Sequence, residues 1–203
     1  TKLSFSQKLD GFLHTSILDA NGKLVAEQTS PVNDTTLHQN FNLKKPHLWN
    51  GKVDPYLYKV KTELLQDKQV VDRVVQPLGL RYYHVDPDKG FFLNGKYLDL
   101  HGVGRHADIY GKGSALSKED YDRDMDLIME LGATTQRLTH YPYHKYVYQQ
   151  ADENGIVLWT EIPQIGPGGY TAIGFVNSPG YKAQAKQVLT ELIRQNYNHP
   201  SIF

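Results

Sequence analysis

The chain has 203 residues, and its 22 basic and 22 acidic side chains give a formal net charge of zero at pH 7. This balance provides no electrostatic basis for binding nucleic acid or an anionic membrane surface, so neither partner is expected. The absence of cysteine excludes disulfides and thiolate zinc sites but fits both cytoplasm and periplasm. No apolar run approaches the ~18 residues of a membrane span, and Thr1 to Asp10 lacks a signal-peptide pattern. We therefore expect a soluble protein of unknown compartment.

Short runs in which apolar and polar residues alternate fill the first 84 residues. Two connections, Asp19–Gly22 and Leu65–Lys68, are rich in the Asn, Asp and Gly residues that tolerate tight hairpins. No run in this part has a helical period, so the pattern predicts an all-β antiparallel sandwich as a domain over residues 1–84. The predicted strands are Phe12–Leu18, Leu24–Glu27, Leu37–Phe41, Tyr56–Leu65 and Val70–Val75.

Strands and helices alternate after Asp86–Gly90, which we interpret as a linker, and after a hairpin around Asn94–Gly95. The predicted strands are Leu98–Val103, Ala133–Leu138 and Ile156–Trp159, the helices begin at Ser117, Tyr143 and Tyr181, a loop covers Gln164–Gly180, and Ile202–Phe203 begins another strand. This order predicts a parallel sheet with crossover helices. An eight-stranded barrel needs ~250 residues, so residues 85–203 are interpreted as the first half of a truncated (β/α)8 TIM barrel, with strands 1–3 and the start of strand 4.

Polar side chains follow each of the three predicted strands. They are Arg105, His106, Arg137, His140, Tyr141 and Glu161. Because sites in such barrels lie at the carboxyl ends of the strands, these side chains are predicted to share one rim. Several donors and one acceptor in one place suit a neutral, polyhydroxylated ligand.

Each of these residues also has a structural interpretation. Arg105 alone is more often exposed or ion-paired than functional, a lone histidine is usually structural, and Glu161 could mark the polar end of a strand. A metal site built from His140, His144 and Glu161 is disfavoured because Pro142 lies between the histidines and interrupts a helix carrying both. No metal is therefore expected, and the functional interpretation depends on all the polar groups lying at one end of the sheet.

The segment His140–Pro142, followed by Val147, Tyr148, Asp152 and the strand Ile156–Trp159, resembles the signature of glycoside hydrolase family 2. Three further segments agree with that family in order: Gly90–Lys96, Gly102–His106 and Asn198–Ile202. The resemblance implies an immunoglobulin-like sandwich over 1–84, a TIM barrel from 85, and a retaining exo-β-glycosidase of the β-galactosidase kind. A β-glucuronidase, a β-mannosidase and a non-catalytic carbohydrate-binding module remain open as alternatives.

The resemblance also implies roles for single residues. His106 and His140 would contact the sugar together with Arg105 and Tyr141, Arg137 would organise the carboxylate site, and Glu161 would form a polar wall. The segment Ile162–Gln164 lacks the Glu and His through which some members bind magnesium, so no cofactor is expected.

Retaining hydrolysis requires two carboxyl groups ~5 to 5.5 Å apart. The resemblance places both beyond Phe203, so we expect this chain to be an inactive fragment that contacts a β-glycoside or oligosaccharide but lacks the catalytic pair. An open barrel edge would also favour association with another chain.

Overall fold

The computed structural model describes residues 1–4, 10–164 and 178–203. The chain divides into two compact units, one formed by residues 1–48 and 56–80 and the other by 49–55 and 81–203. The predicted domain boundary after residue 84 stays a prediction. Most of the predicted loop Gln164–Gly180, namely residues 165–177, lies outside the described residues.

The first unit contains a four-stranded antiparallel sheet with the order β2-β1-β3-β4. Its strands are β1 (Phe12–Leu18), β2 (Leu24–Pro31), β3 (Tyr58–Gln66) and β4 (Gln69–Leu78). Four of the five strands predicted for this part of the chain form, and Leu13 and Ile17 of β1 are buried as alternation requires. The predicted hairpin turn also forms, with Asp19 Oδ1 accepting hydrogen bonds from the Asn21 and Lys23 amides.

The predicted strand Leu37–Phe41 is wrong. In this region the described chain forms only an isolated bridge between Lys2 and Thr36. Leu37 is buried as the pattern required, but the side chain of Gln39 makes the next contacts, donating from Nε2 to the carbonyls of Leu13 and Gln28. The strand-like sequence pattern of residues 37–41 therefore reflects the burial of an apolar side chain and not backbone pairing with another strand.

The second unit opens with a small antiparallel sheet of β5 (Tyr83–Asp86), β6 (Gly90–Leu93) and β7 (Lys96–Tyr97). The prediction of a linker at 86–90 is wrong, since these residues form the turn between β5 and β6. Asp86 pairs with Gly90, and Asp86 Oδ1 accepts hydrogen bonds from the Asp88 and Lys89 amides. An Asx-type turn and a linker share the same Asp, Pro and Gly composition.

A parallel sheet follows, in the order β10-β9-β8, with strands β8 (Gly102–Arg105), β9 (Thr135–Leu138) and β10 (Val157–Thr160). The helices are α1 (Lys118–Glu130), α2 (Lys145–Asn154) and α3 (Pro179–Asn196). Ile202 adds a parallel bridge to Leu158, which confirms the predicted start of a further strand. β8 begins later than predicted, because the Thr134 hydroxyl bonds the His101 amide and the Asp99 carbonyl in place of a strand partner.

Local sequence signals explain where α1 and α2 begin and end. Ser117 and Asp120 form a capping box at the predicted start of α1, and His144 caps α2. Gly155 ends α2 with φ at +72°, a left-handed conformation that glycine adopts without penalty. The main core packs these helices against the parallel sheet and includes Met125, Leu138, Val147, Ile156 and Leu158.

Candidate functional site

Three of the predicted site residues meet at the carboxyl ends of β9 and β10. Arg137 Nε donates to Glu161 Oε1 at 2.6 Å, and His140 Nδ1 lies 2.8 Å from Glu161 Oε2. Arg137 Nη2 is 3.4 Å from the same His140 nitrogen. Arg137 pairs with Trp159 in the parallel register, so β9 and β10 end at the same edge of the sheet. The Arg137 guanidinium and the Glu161 carboxylate are therefore close to each other.

Glu161 is held in its ionised form. The hydrogen bond from Arg137, with a further one from His140 and the positive charges of both, keeps the pKa of the Glu161 carboxyl below its ordinary value of 4.5. Partial burial acts in the opposite direction but does not prevail. A carboxylate of this kind accepts hydrogen bonds at neutral pH and is unsuited to act as a general acid.

His106, which follows β8, and Tyr141, which follows β9, extend the site. The rings of His106 and His140 lie 5.3 Å apart at an interplanar angle of 76°. The Tyr141 hydroxyl accepts from the Ala107 amide at 3.2 Å and is 3.5 Å from His106 Nδ1. We call these five residues, His106, Arg137, His140, Tyr141 and Glu161, the rim cluster.

Arg105 does not join the rim cluster. Its Nη2 is 2.5 Å from Asp124 Oδ2 of α1, and its guanidinium lies 5.7 Å from the ring centres of both Tyr121 and Tyr143. The side chain is only 12% exposed. The structure thus places Arg105 in an ion pair, one of its two interpretations from sequence, while its predicted contact with substrate stays a prediction.

His144, the other histidine of the metal-site alternative, has different partners from those of His140. Its Nδ1 accepts a hydrogen bond from the Tyr146 amide at the start of α2, and its ring stacks on Tyr121. Among the described residues, no three His, Asp or Glu side chains are arranged to hold a metal ion.

A buried polar anchor was missed from the sequence. Asp152 of α2 is 1% exposed, and its carboxylate lies 2.5 Å from His199 Nδ1 and 2.6 Å from Ser201 Oγ. Its backbone carbonyl accepts from Trp49 Nε1 at 2.8 Å. The sequence feature that could have predicted this burial is the position of Asp152 on the same face of the helix as the buried residues Tyr148 and Ala151.

The rim cluster lies at the carboxyl ends of parallel strands, which is where ligands bind in proteins of the TIM-barrel class. The sequence model described as "Glycosyl hydrolases family 2, TIM barrel domain" matches residues 85–203, and the one described as "Glycosyl hydrolases family 2" matches residues 5–81.

Two curated relatives and one solved structure illustrate the similarity. A β-glucuronidase of Bacteroides fragilis is 54% identical over 160 residues, covering 79% of this chain and 23% of the relative. The β-galactosidase large subunit of Lactobacillus acidophilus is 30% identical over 210 residues, covering 99% and 33%. The crystal structure of a Bacteroides uniformis β-glucuronidase superposes with a TM-score of 0.88 at 33% identity, covering 100% of this chain and 24% of that one.

The chain belongs to glycoside hydrolase family 2. It spans 23% to 33% of the length of these relatives. The family match supports the expected pairing of an immunoglobulin-like domain with a TIM-barrel domain. No helix within the described residues is long and apolar enough to cross a membrane.

Proposed function

We propose that the full-length protein containing this chain is a retaining, exo-acting β-glycosidase and that the rim cluster contacts the terminal sugar. Membership of the family supports hydrolysis of a glycosidic bond. The position of the cluster at the carboxyl ends of β8, β9 and β10 supports sugar binding there.

The charge balance of the cluster favours a neutral sugar, and this observation carries the choice of a β-galactoside. Arg137 is neutralised by Glu161 at 2.6 Å, and the neighbouring Arg105 by Asp124 at 2.5 Å. Within the described residues, both arginines of the predicted site thus have a carboxylate partner. A sugar carboxylate would have to compete with these partners, whereas hydroxyl groups need only hydrogen bonds.

A β-glucuronide is the second candidate. It is favoured by the relative from Bacteroides fragilis, which is 54% identical and named a β-glucuronidase. A cation contributed by another part of the full-length protein would satisfy the uronate.

Hydrolysis of matched nitrophenyl substrates by the full-length protein tests this proposal. We expect kcat/KM for the β-galactoside to exceed that for the β-glucuronide by about 10-fold or more, a difference of about 1.4 kcal/mol. The reverse preference would favour the second candidate, and hydrolysis of neither by well-folded protein would contradict the proposal.

We also propose that the 203-residue chain does not hydrolyse these substrates by itself. The rim cluster contains a single carboxylate, Glu161, whose low pKa favours an acceptor role. Retention needs two carboxyl groups at ~5 to 5.5 Å. Release of nitrophenol by the purified 203-residue chain above that of a mock preparation would overturn this proposal.

A further inference from the structure

Within the part of the chain that the structure describes, the hydrogen bonds of His140 involve one ring nitrogen, Nδ1. Its Nδ1 lies 2.8 Å from Glu161 Oε2, and within residues 1–4, 10–164 and 178–203 its Nε2 has no hydrogen bond. An ionised carboxylate can only accept, so the proton of this hydrogen bond belongs to His140 Nδ1. In a neutral ring the lone pair is then on Nε2, which becomes an acceptor.

Arg137 reinforces this assignment from the other side. It donates to Glu161 Oε1 at 2.6 Å and so stabilises the ionised carboxylate. Arg137 Nη2 also lies 3.4 Å from His140 Nδ1, but a guanidinium has no acceptor. The shorter contact of Nδ1 with Glu161 therefore decides the position of the proton.

We propose that Glu161 is a positioning residue that fixes His140 in the Nδ1–H tautomer and thereby presents Nε2 as an acceptor for a sugar hydroxyl. The assignment of the ligand as a sugar rests on the proposed function. The assignment of the tautomer depends only on the hydrogen bond between Glu161 and His140. Glu161 then acts through His140 and not through the direct contact with substrate that the sequence predicted.

His106 has the complementary arrangement. The Tyr141 hydroxyl accepts from the Ala107 amide at 3.2 Å, so its own proton is available for His106 Nδ1 at 3.5 Å. That contact leaves Nε2 of His106 as a donor. With the rings 5.3 Å apart, the two histidines offer one acceptor and one donor, which matches two adjacent hydroxyl groups of a sugar.

The substitution Glu161→Gln tests whether Glu161 fixes the tautomer of His140. Because Arg137 can only donate, the single amide oxygen of Gln would turn towards Arg137 and its NH2 group towards His140 Nδ1. The ring would then have to accept at Nδ1 and carry its proton on Nε2. The proton of the His140 ring is therefore expected to move from Nδ1 to Nε2. Substitution of a side chain with a merely structural role would not cause this change.

Nitrogen NMR of the histidine-labelled 203-residue chain, recorded at a pH where the imidazole rings are neutral, measures this directly. We expect the Nδ1–H tautomer for His140 in the wild type and the Nε2–H tautomer in Glu161→Gln. His199, held by Asp152 at 2.5 Å, is the internal reference and should keep its spectrum. The matched control Glu153→Gln, at an exposed position of α2, should leave His140 unchanged.

An Nε2–H tautomer of His140 in the folded wild type would overturn the inference without any variant, as would an unchanged tautomer in Glu161→Gln. In the full-length protein, Glu161→Gln should lower kcat/KM about 10- to 100-fold, by analogy with removal of the hydrogen-bond partner that orients a metal-bound histidine. Absence of any glycosidase activity in the wild type would contradict the proposed function, while the tautomer measurement would still decide the role of Glu161.

Discussion

At the scale of single residues, the site depends on one carboxylate shared by two partners. Glu161 accepts from Arg137 and from His140 through different oxygens, and it is only 18% exposed. The sequence placed these residues at neighbouring strand ends but could not show that Glu161 joins Arg137 to His140. Strand register predicts which strand ends are level, whereas the partner of a long side chain depends on its rotamer. Arg105 shows the same limit, because its partner Asp124 comes from a helix.

Replacing Arg137 by Met should raise the pKa of Glu161, because the largest contribution to its lowering is lost. A depressed folded-state pKa stabilises the protein above the unfolded value of about 4.3, and this contribution disappears as pH falls through the folded value. Carboxyl-carbon NMR of Glu161 during an acid titration measures the shift. Glu63, whose pKa is lowered by Lys61 and Arg73, should titrate unchanged in the variant. An unaltered Glu161 titration would contradict the assigned cause.

Asp152 should be the costliest carboxylate to remove. Its truncation to Ala would leave His199 Nδ1 and the Ser201 amide and hydroxyl without their acceptor, at an expected cost of about 3 kcal/mol or more. Urea unfolding followed by circular dichroism measures this loss. The exposed neighbour Glu153 is the control, and Glu153→Ala should stay within about 0.5 kcal/mol of the wild type. Equal stability of the two variants would contradict a structural role for Asp152.

At the scale of elements, the second unit was the more predictable from sequence. Helical spacing of Tyr121, Met125, Ile128 and Leu131, with a cap at Ser117 and a glycine at 132, predicts α1. The first three of these apolar residues are buried, whereas Leu131 at the end of the helix is 69% exposed. The capping box and the glycine act locally, so their signals need no knowledge of the fold. The failures at Leu37–Phe41 and Asp86–Gly90 arose where burial or turn composition alone does not determine backbone pairing.

Two glycines with the same backbone conformation should respond differently to substitution. Gly155 and Gly132 have φ values of +72° and +76°, but a Cβ on Gly155 would lie 2.2 Å from the Gly51 carbonyl carbon, whereas one on Gly132 would meet nothing within 4 Å. Gly132→Ala should therefore cost about 1 to 2 kcal/mol from backbone conformation alone. Gly155→Ala should cost clearly more, because backbone atoms must move. Chemical denaturation of both variants tests this, and equal losses would contradict the close approach of residues 51 and 155.

At the scale of the whole molecule, family membership and the position of the rim cluster support each other, but neither of these two observations selects the sugar. The relatives include both a β-glucuronidase and a β-galactosidase, so similarity alone leaves the two substrates open. The charge balance of the described arginines favours the neutral substrate. Association through the open edge of the barrel stays a prediction, since an unpaired strand edge can template pairing with another chain.

The central claim is that the rim cluster binds the sugar of a β-glycoside. Its most direct test is the kcat/KM of the full-length protein for a nitrophenyl β-galactoside after His140→Ala, compared with His144→Ala. His140 faces Glu161 at the rim, whereas His144 caps α2 and stacks on Tyr121. We predict a loss of about 30-fold or more for His140→Ala, as for an unmade hydrogen bond of about 2 kcal/mol, and a change of about twofold or less for His144→Ala. Equal activities of the two variants and the wild type would contradict the claim.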